Sequence, residues 1–184
     1  MTRGWAGTSM RAVSEAAEVS LQSVEAIFGT KAALLRATVD FAIRGDAEPT
    51  PMVQREAVAR MEATVTAAEM LDLHAAHLRA INARSAGVAW AVEQAAAHDA
   101  SVGELWQQMN DNRAFGVAWA AATLLAKPGH RRDLARREVD AAFWVALDWG
   151  TYRTLTQHAG LSGDQYEEWL RWYYRSTLLD ATTG

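Results

Sequence analysis

The sequence predicts an all-α protein, and three observations predict it. The chain holds 38 alanines in 184 residues, and alanine has the best intrinsic helix propensity. Helix start and stop signals recur along its whole length. Alternating runs rich in Val, Ile and Thr, which would mark half-buried strands, do not occur.

The elements follow in order from this punctuation. Thr8 or Ser9 caps a short helix running to about Ala17, and Ser20 caps a second running to about Ile27. Thr30 caps a third, from Lys31 to Arg44, with Gly45 at the position that favours a left-handed backbone. Thr50-Pro51 pairs an N-cap with a proline suited to the first helical turn. Thr66…Glu69, Ser101…Glu104 and Ser162…Gln165 have the capping-box spacing. Lys127-Pro128-Gly129 ends the helix that starts at Ser101. Gly160 ends one that starts near Arg132, and a last helix runs from about Asp164 to Leu179. Ala47–Thr50 is the natural boundary between short helices and long ones. This divides the chain into residues 1–46 and 47–184.

Composition narrows the chemistry. The absence of cysteine excludes disulfides, thiolate metal sites and a cysteine nucleophile. A net charge of −4 argues against coating nucleic acid through bulk positive charge. The longest uncharged run, Ala114–Ala126, is too short for a membrane span, and no signal-peptide pattern opens the chain. The expectation is a soluble cytoplasmic protein that needs no cofactor. No H-E-x-x-H, G-x-S-x-G or G-x-G-x-x-G run occurs, so no enzyme motif is present.

The segment Thr8–Leu35 reads as two short helices joined by a tight turn at Glu18-Val19. Val13, Ala17, Val19 and Val24 are placed to face one another across it. This is the layout whose second helix enters the DNA major groove. Thr8-Ser9, Val13, Ala17, Val19-Ser20, Ser23-Val24, Phe28, Lys31 and Leu34-Leu35 together resemble the DNA-binding domain of TetR-like transcriptional regulators. Asp40–Pro51 and the C-terminal stretch Asp148-Trp149-Gly-Thr-Tyr152…Tyr166-Glu-Glu-Trp169-Leu170 are also similar to this family.

The resemblance implies an N-terminal helix-turn-helix domain followed by a helical ligand-binding and dimerisation domain. It implies double-stranded operator DNA as a partner, with Leu21, Gln22 and Ser23 facing bases or backbone. Gln22 can pair bidentately with adenine. Thr8, Ser20 and Lys31 would contact phosphates. It implies a homodimer built on the helices at Arg132–Ala159 and Asp164–Leu179. Tyr166, Trp169, Leu170, Tyr173 and Thr177 recur there at helical spacing, as interface or as intrachain core. An effector pocket is expected among the earlier helices, lined by His74, His77, Trp90, Trp106, Met109, Arg113, Trp119, Trp144 and Tyr152. Aromatic lining suits a small apolar or aromatic effector, and Arg113 would answer an acidic group on it. His74 and His77 share a helix face, but pocket lining or surface is the expected role rather than metal.

Three departures from the family pattern bear on DNA binding. Only Met1-Thr-Arg3 precedes Gly4-Trp5, where the family has a further helix that would cover Val13, Val24, Phe28 and Leu34. Glu25 stands where a phosphate-donating tyrosine is common, and Glu18 where glycine is usual. Residues 1–46 carry five basic and five acidic side chains, so the whole −4 resides in residues 47–184. A neutral domain lacks the phosphate neutralisation that supplies most affinity. The alternatives are a dimeric small-molecule-binding protein that has lost DNA binding and a small helical enzyme using the same pocket.

Overall fold

A computed structural model describes residues 7–48 and 50–180 together with Trp5. The described residues form an all-α fold with no strand. An isolated β-bridge pairs His130 with Leu179. The helices are α1 (Met10–Ala16), α2 (Leu21–Phe28), α3 (Lys31–Arg44), α4 (Glu56–Ala63), α5 (Ala67–Ala96), α6 (Ala100–Leu125), α7 (Arg136–Ala146), α8 (Trp149–Arg153) and α9 (Gly163–Leu178).

The first three helices start where their caps predict. The hydroxyls of Ser9, Ser20 and Thr30 each accept from the backbone N–H three residues on. Glu18 in the α1–α2 turn has a left-handed backbone, φ 55°. A residue with a Cβ strains there. The cluster predicted across this turn forms only in part. Val24 is buried and Val13 half-buried, but Ala17 is exposed and Val19 is 49% exposed. Ile27 and Phe41 are exposed as well, so α1 and α2 have little core of their own.

Two capping boxes hold, at Thr66/Glu69 and at Ser162/Gln165. The third does not. Asp99 caps α6 through the N–H groups of Ser101 and Val102, because its carboxylate outcompetes the Ser101 hydroxyl, which itself donates to it. After Pro51 the chain first makes a 3-10 turn, Met52–Gln54, and α4 begins only at Glu56.

The helix expected over Arg132–Ala159 is broken. It starts at Arg136 and ends at Ala146, and a new helix starts at Trp149. Asp148 causes the restart: its carboxylate accepts from the Thr151 N–H at 2.7 Å and so acts as an N-cap. Gly150 permits this, since a Cβ there would lie 2.7 Å from the Asp148 carboxylate. The end of α8 widens into a π turn, Thr154–His158, closed by Ala159 N–H on the Thr154 carbonyl.

Helix α5 is central, packing against α3, α4, α6, α8 and α9. One core joins α4 to α9 around Phe143, Tyr166, Leu170 and Tyr174. A second joins Val39 and Ala42 of α3 to Val88, Val92, Val102 and Leu105. Helix α3, which carries α1 and α2, is thus seated in the body by its own apolar face.

Candidate functional site

Helix α3 is fastened at three levels. At its start, Lys31 donates to the Trp5 carbonyl and sits 3.8 Å over the Trp5 ring, while the Trp5 indole donates to Asp99 at 2.9 Å. In the middle, Arg36 bonds Gln108 of α6. At its foot, Arg84 of α5 donates to the Ala42 carbonyl at 3.1 Å and to that of Ile43 at 3.4 Å. Gly45 follows with φ 85°, and a Cβ there would lie 2.9 Å from Arg84 Nη2. The left-handed backbone is what demands a glycine here, since the flexible end of Arg84 can give way.

The linker beyond Gly45 is wrapped around Arg55. Its guanidinium meets Asp46 bidentately at 2.6 and 2.9 Å. Its remaining N–H groups reach the carbonyls of Arg44, Glu48 and Thr50. The Arg55 guanidinium holds the Asp46 carboxyl down to about 2. Between this linker, the end of α3, α4 and α5 lies a cavity of about 410 Å³. Ile43, Arg44, Met52, Arg55, His77 and Arg84 are on its wall. Burial, and then the Arg84 charge, push the His77 imidazole below its ordinary pKa.

The effector residues expected from the sequence are not brought together at this cavity. Only His77 lines this cavity. His74 is core: it is 3% exposed, its Nδ1 lies 2.7 Å from the Tyr174 hydroxyl, and the Phe143 ring meets it edge-on. Burial, with a smaller contribution from His77, lowers its pKa from 6.5 to about 3. Arg113 pairs with Asp148 at 2.7 Å between Trp144 and Trp149. Its buried Nε has no partner among the described residues. Met109 is buried in the second core and Trp106 packs on Trp149. Trp119 donates to Glu62, Trp90 lies under Arg153, and Tyr152 meets Tyr166 edge-on. Each aromatic found a partner from a distant helix, which helical spacing does not reveal. Among the described residues no cluster of His, Asp and Glu can hold a metal ion, and no helix is long and apolar enough to cross a membrane.

On α2, Gln22 and Ser23 are exposed and Leu21 is half-buried. Ser20 spends its hydroxyl on the cap and on Ser23. Thr8 donates its backbone N–H to the Trp5 carbonyl. Lys31, expected on phosphate, is committed to Trp5, which lies against the start of α3. Arg11, Glu15 and Glu18, on α1 and in the turn, and Glu25 on α2 are exposed as well.

On α9, Tyr166 and Leu170 are fully buried within the chain, so they cannot form a surface for a second copy. The reason is that this side of α9 faces α5, where Asn82 donates to the Tyr166 hydroxyl at 3.0 Å. Trp169 and Tyr173 are half-buried and stacked at 5.3 Å, and Thr177 donates back to the Tyr173 carbonyl. Next to them Trp172 is 62% exposed, a residue that the sequence reading passed over.

No protein family matches the chain, and neither does any curated protein or solved structure.

Proposed function

We propose that the protein is a ligand-responsive DNA-binding transcriptional regulator, a repressor that acts as a homodimer. The observation that carries this reading is the placing of α3. The helix that bears α1, α2 and the exposed Gln22–Ser23 edge ends on the wall of the 410 Å³ cavity, held there by Arg84. A ligand that engages the cavity wall differently in two seatings of α3 shifts the balance between them. The position of α2 shifts with it. In a two-fold dimer the recognition helices must lie about 34–36 Å apart to enter successive major grooves. A small change at the foot of α3 is enough to spoil that spacing. The apolar surface left on α9, Trp169, Trp172 and Tyr173 at i, i+3 and i+4, supports the dimer.

An electrophoretic shift with the DNA flanking the protein's own gene tests this. The expected result is a specific shift that weakens steeply with salt and is lost in Gln22→Ala. No specific shift by the full chain at micromolar concentration rejects it. A second reading is favoured by the commitment of Lys31 to Trp5 and by the three glutamates around the α1–α2 turn. On that reading the chain is a dimeric small-molecule-binding protein without DNA affinity, and the same assay gives no shift at any salt. The small-enzyme alternative rests on no sequence motif, although His77, Glu48 and Glu56 all border the cavity.

A further inference from the structure

The cavity wall contains two groups that the surrounding network leaves uncommitted. Arg55 has none to spare, since its five N–H groups meet Thr50, Arg44, Glu48 and both Asp46 oxygens. Arg44 faces Asp40 and the Glu48 carbonyl. Arg84 differs. It uses Nε and one edge of Nη2 on backbone carbonyls, and no carboxylate among the described residues is in ion-pair range of it. Its Nη1 and the rest of Nη2 are unspent. His77 lies two helical turns earlier on the same wall of α5 and makes no hydrogen bond among the described residues. The Arg84 guanidinium, held at the end of α3 by Ala42 and Ile43, shares this cavity wall with His77. The Arg84 charge is felt at the His77 ring.

We infer that this cavity binds a small carboxylate with an apolar body, its two oxygens shared between the free edge of Arg84 and the imidazole of His77. The geometry of a guanidinium edge suits a carboxylate, and a neutral imidazole donates from one ring nitrogen. Ile43, Met52 and Ala57 supply apolar lining for the remainder of the molecule. Glu48 and Glu56 also border the cavity, but both are exposed and water screens them. The cavity volume falls within the range usual for small-molecule sites. The same guanidinium holds the carbonyls of Ala42 and Ile43, so an occupant is felt directly at the foot of α3. The acidic group that the sequence assigns to Arg113 is thereby reassigned to Arg84. The inference rests on reading the cavity as the effector site. It does not require that the chain bind DNA.

Calorimetry on the full chain with benzoate, benzylamine and benzyl alcohol tests the charge preference. The three probes share size and ring and differ in charge. Benzoate is expected to bind with a dissociation constant of order 1 mM, at least tenfold tighter than either isostere. The His77 ring proton resonances are expected to move with benzoate. Arg84→Gln is expected to lose benzoate at least tenfold, while Arg84→Lys keeps part of it. Should Arg84→Gln loosen the junction, His77→Leu gives the same test with the α3 clamp intact. No benzoate binding, equal or tighter benzylamine binding, or full binding in both the Arg84→Gln and the His77→Leu variants overturns the assignment. A DNA shift assay reads the regulator proposal separately, so either can fail alone.

Discussion

Acid should destabilise this protein through His74, and the size of the effect follows from its surroundings. The ring is 3% exposed, lies between Phe143, Trp119 and Tyr174, and bonds the Tyr174 hydroxyl at 2.7 Å. Burial holds it neutral down to about 3, against 6.5 in an unfolded chain. The sign follows directly. Between those two values the unfolded chain binds a proton at this position and the folded chain does not, so stability rises with pH across the window and is lost as pH falls below 6.5. Each pH unit inside the window is about 1.4 kcal/mol, so acidification to about pH 5 removes about 2 kcal/mol. The assay is urea unfolding at about pH 7.5 and about pH 5 for the wild type and for a His74→Leu, Tyr174→Phe pair, which removes both polar partners together. His77, also held below its ordinary value, contributes equally to both proteins and cancels in the difference. The wild type should lose about 2 kcal/mol more than the double variant. Equal losses would refute the argument that His74 is buried neutral.

Substitutions at four further positions have expected outcomes. Asp148→Ala removes both the cap of α8 and the partner of Arg113 and should cost about 2–3 kcal/mol in urea unfolding. Asp148→Asn, which keeps a capping oxygen, should cost roughly half as much. Glu18→Gly relieves the left-handed turn and should raise the thermal midpoint by about 2–4 °C, with a fall counting against the strain. Leu170→Ala, in the core, should cost about 2–5 kcal/mol. Trp172→Ala should change stability by less than about 0.5 kcal/mol yet weaken self-association in sedimentation, and unchanged association would remove α9 from the dimer proposal.

Most helix limits were legible because caps are local. Ser9, Ser20, Thr30, Thr66 and Ser162 each satisfy an amide three residues away, and no distant group can change that bookkeeping. The failures are places where two local options compete. Asp99 and Ser101 both offer a cap for α6, and the charged group takes it. At Asp148 the sequence offers continuous helix or a restart. The restart prevails because a distant arginine, Arg113, stabilises the carboxylate at the break. That partner is 35 residues away in the chain, and no window of helical period contains it.

The site was less legible for the same physical reason. Helical spacing tells which side chains share a face, but not which groups on other helices will claim them. Lys31, Arg113 and His74 each have the chemistry their expected roles need. Trp5, Asp148 and Tyr174 claim them first. A binding group is one left unclaimed after folding, so it is found by subtraction over the whole structure. Applied to the junction, that subtraction spends Arg55 on Asp46 and the linker carbonyls and leaves Arg84 and His77 with unspent capacity on one cavity wall. Sequence alone gave Arg84 no distinction from fifteen other arginines. What distinguishes it is that it forms no ion pair with a carboxylate among the described residues while its other edge holds the end of α3. A guanidinium so placed can report the arrival of an anion to α3 without any other residue having to move first.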